Sequence, residues 1–346
     1  MPVIKNTEDR KQVVVGVDIG ATNTVVGAVD YRGTILFEEV FGTKPYARAE
    51  EFANRLGAII QSFGAQLAPD YTMKGIGIAA PAANYREGTI ESPANLKWGS
   101  VNIIKLLRDR VDVPIELVND GNAAALGELK YGAAKGMSNF VVLTLGTGLG
   151  AGIVVDGRLL LGEHGAAGEL GHIAMYPRER QCGCGHYGCV ETYVSATGIR
   201  RTAFELMAQK LDESELRRLS YDDLTAERIF ALAAEGDPLA MEAFAITGLH
   251  LGRLVSIIVA TFEPEAVILF GGLTNSGRLL MEPTRKSYNE SVLAVFKDKV
   301  KILASELNNG RAAILGASSL FAEPGDNGQQ RVVQNGIDVH HQTVRH

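Results

Sequence analysis

Val13-Val-Val-Gly-Val-Asp18-Ile-Gly20-Ala-Thr22-Asn23-Thr24-Val-Val-Gly-Ala-Val29 reads as an apolar strand ending on an aspartate, a tight turn Gly20–Asn23, and a second apolar strand. A Tyr-Arg-Gly turn and a third strand, Thr34–Val40, complete the unit. The same grammar returns far along the chain. Phe140–Leu145 is an apolar strand, Gly146-Thr147-Gly148-Leu-Gly150 a glycine turn, and Ala151–Val155 a strand, followed by an Asp156-Gly157 hairpin turn and a strand in Arg158–Leu161. Asp-Gly between alternating apolar runs is a strong short-range hairpin signal. Two copies of strand, glycine turn, strand, turn, strand imply a duplicated architecture.

Around the two units, helical and strand patterns alternate. Glu50–Phe63, Asn102–Arg110 and Asn122–Tyr131 have helical periodicity, and Lys74–Ala79 and Ile115–Val118 are short apolar strands. Further on, Glu191–Lys210 and Asp237–Phe262 read as long amphipathic helices, Ala266–Phe270 and Lys299–Ala304 as strands, and Ala312–Phe321 as a closing helix. Mixed sheets flanked by helices, built twice, make an α/β protein with a cleft between two lobes. Gly325–His346 is polar and aperiodic and reads as a flexible tail.

Composition narrows the function. The chain has 346 residues, enough for two domains, with 46% hydrophobic and 21% charged residues, as in globular proteins. A net charge of −6 speaks against non-specific nucleic-acid binding, which needs a basic face. The N-terminal stretch lacks the apolar segment of a signal peptide, and no apolar run reaches the roughly 18 residues that span a membrane. A cytoplasmic protein is the expectation.

Several segments carry chemistry. Asp18 at a strand end can hold a hydrated magnesium ion, while the turn N–H groups of Gly20 to Asn23 and the Thr22 hydroxyl face phosphate oxygens. An ordinary hairpin turn would use the same residue types. Gly146, Thr147 and Gly148 are followed by a strand and not a helix, so they are no dinucleotide fingerprint but a turn that can approach a triphosphate. Gly271-Gly272 follows the strand Ala266–Phe270 and either admits a nucleotide or simply ends the strand. In Val118-Asn119-Asp120-Gly121-Asn122 a strand runs into a helix. Asp120 is placed to accept a hydroxyl proton and Asn119 to bond adjacent hydroxyls, although either residue could merely cap the helix.

The remaining signal spans Glu169 to Glu191. The chain's three cysteines, Cys182, Cys184 and Cys189, lie within eight residues in a C-x-C-x4-C pattern with glycine turns. That excludes a disulfide framework and reads as a structural zinc site short of one ligand. His172 is the obvious fourth, with His186 and His164 as competitors. A closed site would also fix Glu169 and Glu191, two carboxylates suited to sugar hydroxyls.

DIGATNT, NDGNAAALGE, GTGLGAG, GELGH and CGCGHYGCVE, in that order, resemble the ROK family (repressors, open reading frames and kinases), most closely its bacterial glucokinases. The resemblance covers about 13–322. It implies an actin-like ATPase (RNase H-like) fold of two lobes, 1–118 with 311–324 and 119–310, and a zinc loop at 172–191. Sugar and ATP would lie in the cleft, with Asp120 as general base and Asn119, Glu169, His172 and Glu191 on the sugar. His172 would serve metal and sugar together, and Asn95, in the stretch before Trp98, would also lie near the sugar. A homodimer or homotetramer is implied. The expected reaction is magnesium-assisted transfer of the γ-phosphoryl of ATP to the 6-hydroxyl of glucose, with kinases of N-acetylglucosamine, N-acetylmannosamine or fructose as nearest alternatives. Only twelve residues precede Val13, fewer than a helix-turn-helix domain occupies, which sets an enzyme above a sugar-responsive repressor. One residue departs from the family pattern: Ala82 follows Pro81 where glycine is usual, next to the expected sugar site.

Overall fold

The computed structural model describes residues 10–91, 96, 98–307 and 311–321. The first unit is β1 (Lys11–Ile19), β2 (Asn23–Asp30) and β3 (Ile35–Gly42), followed by α1 (Ala49–Leu67) and β4 (Tyr71–Ala79). Three two-residue strands, β5 (Ala83–Asn84), β6 (Thr89–Ile90) and β7 (Val101–Asn102), form a small sheet of their own before α2 (Ile103–Arg108). Next come β8 (Ile115–Val118) and α3 (Asp120–Tyr131). The second unit is β9 (Phe140–Leu145), β10 (Leu149–Val155) and β11 (Arg158–Leu159). It continues with α4 (Ala196–Gln209), α5 (Ala226–Ala234), α6 (Pro238–Phe262), β12 (Ala266–Phe270), α7 (Arg278–Ser291), β13 (Lys301–Ala304) and α8 (Ala312–Ser318).

The duplication is explicit in the sheets. One has the order β3-β2-β1-β4-β8, the other β11-β10-β9-β12-β13. In both, the first three strands form an antiparallel meander, and the first strand then pairs in parallel with the fourth, and the fourth with the fifth. Central strands covered on both faces read as near-continuous apolar runs. Val13, Val15, Val17 and Ile19 of β1 are almost fully buried, packed with Phe52, Leu56, Ile59 and Phe63 of α1. The second sheet is covered by α4 to α7 through a separate core that includes Leu143, Ile153, Phe244, Leu251 and Leu269.

Helix α8 returns to the first sheet and crosses it closely. A Cβ at Gly16 would lie 2.2 Å from the Ile314 carbonyl oxygen, and one at Gly77 1.8 Å from that of Ala317, so only glycine permits the contact. The other side of α8 meets α3, and α3 rests on β10. This chain of packing sets the N-terminus of α3 beside the end of β1.

Two expectations need correction. Glu191–Lys210 is not one helix: Val190–Thr192 is a 3-10 turn, and α4 begins only after Ser195, whose extended backbone and hydroxyl, accepting from Gly198 N–H at 2.9 Å, make it the N-cap. Nor is a membrane-length apolar segment missing. Helix α6 has 25 residues and a window of mean hydropathy 1.8, but 61% of that window is buried against the surrounding helices and sheet, as suits a core helix.

Candidate active site

Asp18 is the last residue but one of β1, and the turn after it is tight: Gly20 N–H donates to the Asn23 carbonyl at 3.0 Å, while Thr22 and Asn23 are exposed at the tip. Burial, and after it the charge of Asp120, raise the Asp18 carboxyl from 3.8 to about 6. Asp120 is the first residue of α3 and keeps solvent-accessible surface even though protein surrounds it on most sides, the position of a group at the floor of a cleft. Burial raises its pKa, and the Gly121 N–H, 2.8 Å from Oδ1, works against that rise. Two carboxyls held above the usual range, with the charge of Asp120 felt at Asp18, form a place where a proton or a cation is wanted. Asn119 caps α3, its Oδ1 accepting from Asn122 N–H at 2.7 Å. The capping role is therefore real, and the Asn119 amide N–H2 is the part left to meet a ligand.

The second turn faces the same region. Gly146 and Thr147 are exposed, and a side chain at Gly146 would meet nothing within 4 Å. A Cβ at Gly150 would lie 3.6 Å from Asp120 Oδ1, which puts this turn beside the candidate base. Gly271 and Gly272 stand in different surroundings. Gly271 has φ +109 and packs on the Leu145 backbone, where a Cβ would come within 2.6 Å of the carbonyl oxygen, whereas Gly272 faces open space.

The four candidate metal ligands come together in the fold. Single ligand atoms of His172, Cys182, Cys184 and Cys189 all lie within 4.8 Å of one another. Cys184 and Cys189 Sγ are 3.7 Å apart, as are Cys182 Sγ and His172 Nδ1. Zinc–sulfur bonds of about 2.3 Å in a tetrahedron give edges of about 3.8 Å, so the donor set fits zinc. His186 reaches Cys184 at 3.6 Å but stands outside the four, and His164 does too. With Nδ1 towards the cysteines, His172 turns Nε2 to Glu169, 3.8 Å from Oε2. A carboxylate behind a metal-bound imidazole orients the ring. Glu191 lies between cluster and turn: Oε2 accepts from Leu149 N–H at 2.8 Å and Oε1 is 3.6 Å from Cys182 Sγ.

Ala82 adopts φ +51, the left-handed region that a glycine would occupy without strain, and it is exposed. Asn95 lies outside the described residues.

Residues 14–323 match the ROK family. The chain belongs to the ROK family. Among ROK proteins it is 32% identical over 317 residues to the glucokinase of Streptomyces coelicolor, spanning 90% of this chain and 98% of that one. A ROK family glucokinase from Streptomyces griseus, solved with glucose and AMPPNP, superposes with a TM-score of 0.75 at 30% identity, covering 89% of this chain and 98% of the other. A ROK family transcriptional regulator, a homologue of the E. coli MLC protein, superposes with a TM-score of 0.80 at 27% identity, covering 90% and 78%. The fold is thus the actin-like, sugar-kinase ATPase fold of ROK proteins.

Sequence reasoning did not reach the residues that hold the second ROK glycine turn from behind. Ala196 N–H donates to Gly146 O and the Thr197 hydroxyl to Thr147 O, each at 2.8 Å. Both bonds join segments about fifty residues apart, and no local pattern announces them. The clamp on the metal loop is equally non-local. Buried Arg180 donates to Thr192 O at 2.6 Å and to Thr202 Oγ1 at 3.0 Å, and its guanidinium stacks on Tyr193.

Proposed function

We propose that this chain is an ATP-dependent hexose kinase that transfers the γ-phosphoryl of ATP to the 6-hydroxyl of glucose, giving glucose 6-phosphate. The observation that carries the reading is Asp120 at the start of α3, beside the second glycine turn at Gly150, with Asp18 of the first turn near enough to feel its charge. In the mechanism Asp120 orients the sugar hydroxyl and takes its proton as the oxygen attacks phosphorus in line, a role helped by a pKa above that of a free aspartate. Backbone N–H groups of the turns at Gly20–Asn23 and Gly146–Gly148 bind the phosphate oxygens, and Gly272 leaves room for the nucleotide. Asp18 would hold magnesium, which neutralises developing phosphate charge. Asn119, Glu169, His172, Glu191 and Asn95 supply the sugar's hydrogen bonds, and the lobes 1–118 with 311–324 and 119–310 close around the pair to keep water out.

The likeness to glucokinases over nearly their whole length supports glucose, with N-acetylhexosamines and fructose as competitors. A specific observation favours a second reading, a sugar-binding regulator without turnover: the close superposition on a ROK transcriptional regulator. The three cysteines, free of disulfides and gathered in one metal cluster, support a cytoplasmic setting.

ADP release with magnesium-ATP and a panel of glucose, N-acetylglucosamine, N-acetylmannosamine, mannose and fructose decides among these. Turnover confined to glucose is expected, and Asp120→Asn should lower kcat by about a thousandfold while sugar still binds. Glucose binding without ADP release would instead establish the regulator.

A further inference from the structure

The segment after the third cysteine reaches from the metal cluster to the glycine turn. Glu191 Oε1 lies 3.6 Å from Cys182 Sγ, while Oε2 accepts from Leu149 N–H at 2.8 Å. One carboxylate therefore touches a metal ligand and the backbone of the turn. The fit is close: a methyl at Gly148 would sit 2.4 Å from Glu191 Oε2. Ser195 Oγ donates to the Glu191 carbonyl at 2.8 Å, and the next two residues hold Gly146 and Thr147 by the bonds described above. Since the bond from Glu191 goes to a backbone N–H, it fixes the turn's main chain and not a rotamer.

What keeps Glu191 in place is the loop that carries Cys182 and Cys189. Both cysteines are buried, and the direct contacts among the ligand side chains are sulfur contacts of 3.7 Å, weak bonds that a shared cation would replace with strong ones. With an ion bound there, its loss would loosen the ligand segment despite the Arg180 clamp, and the carboxylate would shift with it.

We propose that Glu191 is a positioning residue for the turn Gly146–Leu149, so that occupancy of the Cys3His cluster sets the protein's affinity for nucleotide as well as for sugar. This rests on the reading of that turn as a phosphate site.

The test is calorimetric titration of magnesium-ADP, with no sugar present, into zinc-loaded and zinc-stripped protein, for wild type, Glu191→Ala and Glu191→Gln, with metal content measured for each. Stripping should weaken ADP binding to wild type about tenfold. Glu191→Ala, still loaded with zinc, should show about the same tenfold loss, and stripping it should add less than twofold. Glu191→Gln keeps an amide oxygen for Leu149 N–H and should stay within about threefold of wild type when loaded. Hydrogen exchange at the Leu149 amide in wild type gives a reading that needs no variant, and it should accelerate about tenfold on stripping. The proposal falls if stripping leaves wild-type ADP affinity unchanged, or weakens Glu191→Ala as much as wild type. It falls too if exchange at Leu149 ignores the metal. Zinc-loaded wild type that binds no ADP would remove the phosphate reading, and the proposal with it, even where exchange at Leu149 still responds to zinc.

Discussion

Asp18 is a destabilising residue whose placement makes sense only with a cation or a proton beside it. Its carboxyl titrates near 6 in the folded protein, against 3.8 when free, because burial and the Asp120 charge disfavour the ionised form. The native state thus binds this proton more tightly than the unfolded chain does. The resulting stability is fully present below about 3.8 and is lost as the pH rises through about 6. At pH 7.5 the ionised group opposes folding by on the order of 1–2 kcal/mol, after allowance for its partial exposure. Asp18→Asn is therefore expected to raise the melting temperature at pH 7.5 without nucleotide, and the gain should shrink as the pH falls from 6 towards 4.5. The same variant should lose the stabilisation that magnesium-ADP gives wild type. Thermal scans across pH, with and without ADP, read both effects, and a gain undiminished at pH 4.5 would show that charge is not its cause. Asp18, Asp120 and the cysteines could be found from the sequence because each stands at a local landmark, a strand end or a dense Cys-Gly pattern. Whether Asn119 serves as cap or ligand contact could not be read from the sequence, because both draw on the same side-chain chemistry, and the structure shows the cap.

Among the elements, both antiparallel meanders were readable because a strand, a turn and a strand are contiguous in sequence. The parallel pairings of β4 and β12 join distant segments and show themselves only in the fold. Strands β5 to β7 are two residues each, too short for any alternation, and α7 carries Pro283 within its helical run, which blurs its pattern. The break between Glu191 and α4 turned on Ser195 acting as a cap, a role its neighbours did not reveal. At the strand end, Gly271 is packed on backbone as the structural reading requires, while Gly272 faces open space, where the nucleotide reading would need it, and this permits a clean experiment. Gly271→Ala forces a methyl into the Leu145 backbone at an unfavourable φ and should destabilise the protein by about 2–3 kcal/mol. Gly272→Ala meets open space and should keep its stability within about 0.5 kcal/mol while raising the KM for ATP. Denaturation midpoints and ATP kinetics on the pair check this. Equal stability losses would overturn the division of roles.

At the scale of the molecule, the two halves meet on both sides of the cleft. Helix α8 joins them at the floor, between the first sheet and α3. Along one rim the Tyr85 ring lies against Gly165, and Arg86 comes within 3.6 Å of Glu163, just ahead of Glu169. The chain's single tryptophan, Trp98, belongs to the first half. It packs against Phe52, ring centroids 4.6 Å apart at a 45° tilt, and its indole N–H donates to the Tyr46 carbonyl at 2.8 Å. Closure on a sugar would carry Trp98 and the first half towards the cysteine loop and His172, whose Nε2 lies 3.8 Å from Glu169. Glucose alone is accordingly expected to change Trp98 emission in a saturable way, with a midpoint equal to the calorimetric Kd. In zinc-stripped protein that midpoint should rise about tenfold, because Glu169 and the His172 ring beside it lose their fixed geometry together. The titration separates two ways of building the site. A midpoint that follows zinc makes the metal loop one wall of the sugar pocket, and a midpoint indifferent to zinc would leave sugar recognition to the first half and Asn119 alone.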